Sequence, residues 1–526
     1  MELGLVTAGA ALAAVEAALP QLIEAKVGSR IAAQDPTVWG PEAEAESALR
    51  LGWTNPFDAA SILVPEILKL RAQLQEEGLT RVVLSGMGGS SLAPEVIAAH
   101  DGVDLVICDT TDPSMVRQIL EEDLEHTVVV VASKSGSTVE TDSHRRAFTA
   151  AFTAAGIDPA QRLVLVTDPG SPMDDAEGVR VVFNADPNVG GRYSALTAFG
   201  LVPTGLAGAD IEALVEEAGL VNDLLVADDE DNIALHLGAA MAAPGRDKLV
   251  IAGMEDAHPG FGDWAEQLIA ESTGKSGKGV LPVVAHPGAP ELASVADDVM
   301  PLFIYGQLPE ELDEESTAVH FSAPLGTSFM IFEYATAVAG YLLGISPFDQ
   351  PDVEAAKAAA RALLDAPAGQ QQAADAVDGP VELFGTTAST LDAALEQLTA
   401  QLGEDGYLAI QAYLNRLEDT ELEVLRDALA EKTGRPVTFG WGPRFLHSTG
   451  QYHKGGPAQG VFLQITAEHP QDLDIPERPF SFGGLITAQA IGDAGVLTDA
   501  GHHRPVLRVH LTDKAAGIAA LIEAAK

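Results

Sequence analysis

The residues best suited to chemistry lie in the segment Gly262–Gly279, whose sequence is G-D-W-A-E-Q-L-I-A-E-S-T-G-K-S-G-K-G. Glu271 stands there beside small residues and a lysine, and Gln267 precedes it by four positions. Residues four apart share a helix face, so both side chains can point into one cleft. This arrangement suits a general base with a polar neighbour that holds a substrate. The competing interpretation is a solvated glutamate near a helix end.

Two small-residue turns indicate phosphate binding. Ser85–Ser91 (S-G-M-G-G-S-S) and Ser133–Thr138 (S-K-S-G-S-T) each follow an apolar run and precede a helical pattern. Glycines let the backbone approach an anion, and the free N–H groups of a helix start point at it. The alternative for the second turn is a hydroxyl-rich helix cap. The first turn has neither G-x-G-x-x-G nor G-K-[S/T] spacing, which disfavours a nucleotide site.

A third candidate is Arg192, in the segment Gly190–Ser194 (G-G-R-Y-S). Paired glycines leave room for a ligand, and an arginine stays charged while a neighbouring oxygen gains charge. It therefore suits stabilisation of an enediolate. An exposed arginine on a surface turn is the alternative.

The elements that must position these residues are predicted from short apolar runs separated by helical patterns. The runs Arg81–Met87, Leu105–Asp109, Thr127–Ser133, Arg162–Asp168 and Val179–Asn184 predict a doubly wound parallel sheet. A second series comprises Lys248–Met254, Val299–Gly306 and Ala318–Ala323, and a third comprises Pro436–Trp441, Val461–Thr466 and Pro505–Leu511. The predicted fold class is α/β. Its predicted organisation is a helical segment over 1–75, parallel-sheet domains over 76–230 and 231–365, a linker with helices over 366–434, and a segment 435–526 that completes the second domain.

The composition limits the partners. The chain has 526 residues and a formal charge of −47, which disfavours nucleic acid and anionic membranes. An anionic substrate must therefore be captured by a locally positive site. The single cysteine, Cys108, excludes intramolecular disulfides and is predicted in a buried strand. The longest apolar segment, Ala335–Ile345, is shorter than the ~20 residues that a membrane helix needs. We expect a cytoplasmic protein.

Taken together, five segments resemble the glucose-6-phosphate isomerase family. They are S-G-M-G-G-S-S-L-A-P, S-K-S-G-S-T-V-E-T, G-G-R-Y-S, A-E-S-T-G-K and S-P-F-D-Q-P-D-V-E-A-A-K, in the family's order across about residues 80–360. The likeness is greatest to the isomerase half of fused transaldolase–isomerase chains. The resemblance implies two sugar-isomerase (SIS) domains with the active site between them, a sugar-phosphate substrate, and chemistry that needs no metal or other cofactor.

The resemblance also implies a role for each matching residue. Glu271 would move the proton between C2 and C1, and Arg192 would stabilise the cis-enediol(ate). Lys357, on a helix opened by Pro351, would help ring opening and contact the sugar. The remaining matches would bind substrate, and those that hold the phosphate are Ser90, Ser133, Ser135, Ser137 and Thr138. Gly89, Lys134, Gln267 and Gln350 complete the substrate-binding set.

The ring-opening histidine departs from the family pattern. It usually follows the E-S-x-G-K segment within a few tens of residues, but His286 there has no matching context. The matching context is Leu446–Gln451 (L-H-S-T-G-Q), which points to His447. We infer that a segment near 435–515 has been relocated to the C-terminus. In many family members this histidine comes from the neighbouring subunit of a dimer, so a homodimer is a candidate assembly.

Three alternatives remain open at this stage. One is an isomerase with broader specificity, which also takes mannose 6-phosphate. Another is a non-catalytic sugar-phosphate sensor with the same fold, which would be expected to lack Glu271 or Arg192. The third is a nucleotide-dependent enzyme, which the missing fingerprints disfavour.

Overall fold

The structure is a computed structural model that describes residues 2–312, 316–364, 373–499 and 501–526, without the side chains of 353–357. The strands are β1 Gly4–Ala8, β2 Arg81–Gly86, β3 Val106–Cys108, β4 Thr127–Ala132, β5 Leu163–Thr167, β6 Val181–Asn184, β7 Lys248–Ala252, β8 Leu281–Val284, β9 Val299–Ile304, β10 Ala318–Ser322, β11 Ala376–Asp378, β12 Val381–Phe384, β13 Tyr407–Tyr413, β14 Val437–Trp441, β15 Gly460–Ala467 and β16 Val506–Leu511. They form three separate sheets.

Helices connect and cover these strands. In chain order they are α1 Ala10–Glu24, α2 Val27–Ala32, α3 Glu44–Ser47, α4 Phe57–Glu76, α5 Leu92–Asp101, α6 Pro113–Glu121, α7 Val139–Ala154, α8 Ala198–Ala207, α9 Ile211–Leu220, α10 Asn222–Leu225, α11 Ile233–Met241, α12 Phe261–Thr273, α13 Pro290–Ala293, α14 Leu325–Leu343, α15 Val353–Leu364, α16 Leu391–Thr399, α17 Val424–Thr433, α18 Gly450–Gly455, α19 Phe482–Thr498 and α20 Lys514–Ala525. Among the helices of the described residues, none combines the length and apolar character that a membrane crossing requires.

The first sheet has the order β3-β2-β4-β5-β6, and every neighbouring pair is parallel. Its strands coincide with the five apolar runs predicted between residues 81 and 184. The central strand β4 (T-V-V-V-V-A) is buried at every position, as expected for a parallel sheet covered on both faces. Cys108 ends β3 and is buried, as predicted. The structure confirms the α/β class.

The second sheet has the order β1-β10-β9-β7-β8. Strands β7 to β10 are parallel, whereas β1 pairs antiparallel with β10 at the edge. The segment 1–75 was predicted to be helical, but its first residues form a strand. Gly4–Ala8 are a strand because they close the exposed edge of β10, and helices begin only at Ala10.

The third sheet has the order β11-β12-β16-β15-β13-β14 and lies within the C-terminal unit, by which we mean residues 376–526. Strands β13 to β16 are mutually parallel, and β11 and β12 are antiparallel additions at one edge. The segment 435–526 was predicted to complete the second domain, and the structure shows that its strands do not join the second sheet. The described part of 366–434 supplies strands as well as helices, and β13 pairs with both β14 and β15, so the segment forms its own sheet.

Helix α12 lies where the first sheet, the second sheet and the C-terminal unit meet. It packs against α5 of the first sheet, against β8 and α14 of the second, and against α18 of the C-terminal unit. Its apolar residues belong to a core that continues across the first two sheets. A polar side chain on α12 can therefore reach the carboxyl edge of the first sheet and the C-terminal unit at once.

Candidate active site

Two loops at the carboxyl edge of the first sheet form one wall of a cleft of about 620 Å³. Gly86 at the end of β2 is paired with Ala132 at the end of β4, so the loops that follow these strands are neighbours. This edge is where ligands bind in open parallel sheets. The residues predicted from sequence that line the cleft are Gly89, Ser90, Ser133, Lys134, Ser135, Thr138, Arg192, Gln267, Glu271, Gln350 and His447.

The loop after β4 gathers four hydroxyl groups. Ser133 Oγ lies 2.9 Å from Thr138 Oγ1, and Ser135 Oγ lies 3.0 Å from Ser137 Oγ. Helix α7 begins at the next residue, Val139, so its first N–H groups face the same side. Hydroxyls combined with a helix start are suited to a phosphate group. Ser137 lines an adjoining cavity of about 340 Å³, which also contacts Ser135, Thr138 and His447.

The loop after β2 is tightly packed against its neighbours. A Cβ atom on Gly89 would lie 1.9 Å from the carbonyl oxygen of Gly191, so only glycine fits there. Ser90 is buried within the same turn. The ammonium group of Lys134 is already paired with Asp168 and donates to Pro187 O at 3.3 Å. Lys134 therefore contributes charge to the cleft wall while its ammonium is engaged by protein groups.

Helix α12 presents Gln267 and Glu271 to the cleft from the opposite side. Both are almost fully buried, and Gln267 Nε2 donates to Glu271 Oε2 at 3.2 Å and to the carbonyl of His447 at 2.7 Å. The four-residue spacing thus places both side chains on one face, as predicted. Glu271 has a fixed neighbour on one oxygen and faces the cleft.

Arg192 is held rigidly beside that carboxylate. Its Nε donates to Ser272 Oγ at 2.8 Å, and one terminal nitrogen donates to the carbonyl oxygens of Pro347 at 2.7 Å and Asp349 at 3.2 Å. The other terminal nitrogen lies 3.6 Å from Glu271 Oε2 and 3.3 Å from Gln350 Oε1. A guanidinium anchored on two sides keeps its third side, and its charge, directed at the cleft.

Lys275, which the sequence analysis did not select, adds a second cation behind Arg192. It is buried and pairs with Asp349 Oδ1 at 2.6 Å. Burial and the nearby Arg192 charge lower the pKa of Lys275 to about 8, although Asp349 opposes this shift. In the sequence, only its position at the end of A-E-S-T-G-K could have indicated that Lys275 belongs to the site.

His447 enters the cleft from the C-terminal unit. It ends the short 3₁₀ helix Arg444–His447, and its Nε2 lies 3.1 Å from Glu140 Oε1. Glu140, in the first turn of α7, also accepts a hydrogen bond of 2.7 Å from Gln489 Nε2. A carboxylate in this position holds an imidazole in a fixed orientation. Sequence reasoning missed Glu140 and Gln489, because their partners are 307 and 349 residues away along the chain.

Partly buried ion pairs fix the segment that carries His447. Arg444 contacts Glu95, and its other terminal nitrogen lies 3.2 Å from Asp109 Oδ2. Arg416 pairs with the same two acids, at 3.1 Å from Glu95 and 3.6 Å from Asp109. Burial alone would raise the pKa of Glu95, but Arg444 and Arg416 together lower it to about 2. Arg416 and Arg444 of the C-terminal unit thus form ion pairs with Glu95 and Asp109, which lie beside the first sheet.

The last two predicted residues follow α14. Gln350 lines both the cleft and the adjoining cavity. Lys357 belongs to α15, but its side chain lies outside the described residues, so its predicted role in ring opening stays a prediction.

Comparison with known proteins places this cleft in context. Residues 73–278 match the family model described as phosphoglucose isomerase. A glucose-6-phosphate isomerase of Rubrobacter xylanophilus is 30% identical over 382 residues, which cover 59% of this chain and 87% of that protein. One from Rippkaea orientalis is 34% identical over 250 residues, which cover 45% of this chain and only 48% of that protein.

Two solved structures share the fold. A hypothetical protein from Thermus thermophilus has a TM-score of 0.58 and 24% identity, with coverage of 69% of this chain and all of that chain. A glucose-6-phosphate isomerase from Chlamydia trachomatis has a TM-score of 0.53 and 21% identity, with coverage of 66% and 85%. The chain therefore shares its fold with these two proteins.

Proposed function

Because this chain belongs to the phosphoglucose isomerase family, we propose that it interconverts glucose 6-phosphate and fructose 6-phosphate through a cis-enediol intermediate. The observation that carries this proposal is the convergence of Glu271, Arg192 and His447 on one cleft whose wall is rich in hydroxyls and helix N–H groups. A phosphate anchored on the loop Ser133–Thr138 would leave the sugar carbons within the cleft.

Ring opening comes first for a cyclic substrate. His447 donates a proton to the ring oxygen while the C1 hydroxyl gives its proton to water, and the ring C–O bond breaks to give the open-chain aldehyde. Glu140 holds the imidazole in this orientation, and Gln489 Nε2 donates to the same carboxylate oxygen, Oε1. General acid–base groups of this kind contribute about 10²–10⁴-fold to a rate.

Proton transfer follows at the neighbouring carbons. Glu271 removes the proton from C2, the electrons move to form the C1–C2 double bond, and the aldehyde oxygen gains charge. Arg192 stabilises that oxygen because its guanidinium stays charged and is already fixed by protein contacts. The proton on O2 then passes to O1, Glu271 returns its own proton to C1, and the ketose results. One carboxylate serves both carbons because the proton stays on one face.

The decisive test is Glu271→Gln, which keeps the shape of the side chain but cannot accept a proton. Turnover of fructose 6-phosphate is followed with a chelator present and a dehydrogenase-coupled readout of glucose 6-phosphate. We expect the wild type to turn over and Glu271→Gln to lose about 10²–10⁴-fold in kcat. Glu212→Gln, an exposed change on α9, is the matched control. Full activity of Glu271→Gln would refute the proposal that Glu271 transfers the proton between C2 and C1.

The same assay separates the proposed isomerase from its alternatives. Turnover of mannose 6-phosphate at a comparable rate would extend the specificity to a phosphoglucose/phosphomannose isomerase. Binding of glucose 6-phosphate without turnover by the wild type would favour a sugar-phosphate sensor. We further propose a cytoplasmic location, supported by the single cysteine and by the metabolite substrate.

A further inference from the structure

The C-terminal unit has a crevice of its own, about 290 Å³ in volume and separate from the cleft. In the third sheet the chain passes from β13 outward to β14, then returns to the other side of β13 to form β15 and then β16. The strand order therefore reverses between β13 and β15. In open parallel sheets, ligands bind outside the carboxyl ends of the strands at such a reversal. The crevice lies there, lined by Tyr413 at the end of β13 and by Thr466–His469 at the end of β15.

One face of this sheet is polar in a way that a buried parallel sheet is not expected to be. Paired residues form a row of Gln411, Gln464, Arg508 and Phe384 across four strands. The next row, two residues on, contains Tyr413, Thr466, His510 and Glu382. The opposite face is apolar and belongs to the core of the unit, as Leu463 and Val509 illustrate. The polar rows therefore need an explanation other than packing.

Several of these side chains lack protein partners. Gln411 and Gln464 are at least 99% buried, and neither amide atom of either one has a hydrogen-bond partner among the described residues. The guanidinium of Arg508 stacks 4.4 Å from the ring centre of Phe384. It makes neither a hydrogen bond nor an ion pair with the part of the chain that the structure describes. In a chain with a charge of −47, a half-buried arginine that forms no ion pair with a carboxylate of the described residues is unusual. Burial lowers the pKa of Arg508, and the more distant charge of Asp375 opposes this shift.

The groups around Arg508 define the chemistry of a ligand. Arg508 offers N–H donors and charge for a phosphate. Thr466 and His510 lie 2.9 Å apart and supply a hydroxyl and an imidazole. Glu468 approaches His510 at 3.5 Å, and Glu382 lines the same crevice. Carboxylates repel a phosphate but accept hydrogen bonds from hydroxyl groups, so the ligand should carry both kinds of group.

We propose that this crevice is a second ligand site, which binds a small phosphorylated polyol or sugar with its phosphate on Arg508 and its hydroxyls on Glu382 and Glu468. The site is independent of the proposed isomerase chemistry. Helix α19 nevertheless connects the crevice with the proposed active site. Its residues Ile486, Thr487 and Ile491 line the crevice, and its Gln489 donates to Glu140, the partner of His447.

Calorimetric titration with glucitol 6-phosphate tests the site, because this polyol phosphate has no carbonyl and cannot be isomerised. We expect the wild type to show a binding event whose affinity is at least about tenfold weaker in Arg508→Gln. Lys526→Gln removes one charge from an exposed position of the same unit and should keep that event. Hydrogen-exchange mass spectrometry should show ligand protection over residues 460–469 and 506–511.

A second variant guards against misfolding of the first. Thr466→Val keeps the side-chain shape and should weaken the same event, whereas isomerase kcat should remain that of the wild type in both variants. Unchanged binding by Arg508→Gln would overturn the proposal. Equally tight binding of inorganic phosphate and glucitol 6-phosphate would also overturn it, because the carboxylates would then contribute no affinity through the hydroxyl groups of the ligand. Neither outcome depends on whether the cleft turns over substrate.

Discussion

Replacement of His447 by alanine should separate ring opening from proton transfer. The imidazole contacts Glu140 through Nε2, whereas the bond to Gln267 uses the backbone carbonyl, which alanine retains. The substitution therefore removes the acid–base group and leaves the neighbour of Glu271 in place. Loss of one such hydrogen bond should cost about 1 kcal/mol in the free energy of unfolding. Turnover of cyclic substrate should fall about 10²–10⁴-fold, which is about 3–5 kcal/mol in the barrier.

The assay compares two substrates. Fructose 6-phosphate is mostly cyclic, whereas 5-deoxyfructose 6-phosphate lacks the hydroxyl that closes its ring and stays open. Deuterium incorporation at C1 in heavy water, followed by proton NMR, reports proton transfer for both. We expect His447→Ala to be slow with the first and close to wild type with the second. Glu271→Gln should be slow with both.

Two outcomes would refute this reasoning. Equal slowing of both substrates by His447→Ala would place the histidine in proton transfer or in the architecture of the cleft. Unchanged turnover of both would mean that another group opens the ring. A melting temperature within a few degrees of the wild type is required for either conclusion, and the small predicted loss of stability makes that condition attainable.

Two further predictions concern stability. Gly89→Ala should unfold at lower temperature and lose activity, because its Cβ would lie 1.9 Å from Gly191 O. Gly190→Ala is the control for the same thermal melts, since the nearest atom to its Cβ would be 3.9 Å away and the methyl group should be tolerated. Burial lowers the pKa of His258 to about 4 and that of His453 to about 3. The unfolded chain binds these protons below pH 6.5 while the folded chain does not, so stability is full above that pH and falls on acidification towards the folded pKa values, by about 2 kcal/mol per histidine at pH 5 in urea titrations. A free energy of unfolding that stays level between pH 7 and pH 5 would contradict the second prediction.

The first sheet and most of the cleft were accessible from sequence for a physical reason. Strands such as β4 are buried on both faces, so they appear as continuous apolar runs, and the turns after them carry the glycines and hydroxyls that face a ligand. Residues four apart on α12 fixed the relation of Gln267 to Glu271 before any contact was known. These features depend on residues that are close together in the chain, so a single sequence is enough to predict them.

Other features depend on contacts between distant segments. The run Tyr407–Tyr413 is short and apolar, and periodicity alone cannot tell a buried strand of this kind from a helix. The bonds of Glu140 to His447 and Gln489 join residues more than 300 positions apart. That Arg508 stacks on Phe384 and forms no ion pair with the described residues is visible only in the folded sheet. Relocation of residues 435–515 stays a prediction, because strand pairing shows where the segment packs and not where it originated.

The attachment of the C-terminal unit has a consequence for how the cleft behaves on dilution. His447 reaches Gln267 within its own chain, and Arg444 ties that segment to Glu95 and Asp109 of the first unit. The effective concentration of the imidazole at the cleft is therefore set by covalent connection and folding, and not by encounter between molecules. Delivery within one chain is first order, so if His447 has its proposed role, we expect the same specific activity at nanomolar and micromolar protein.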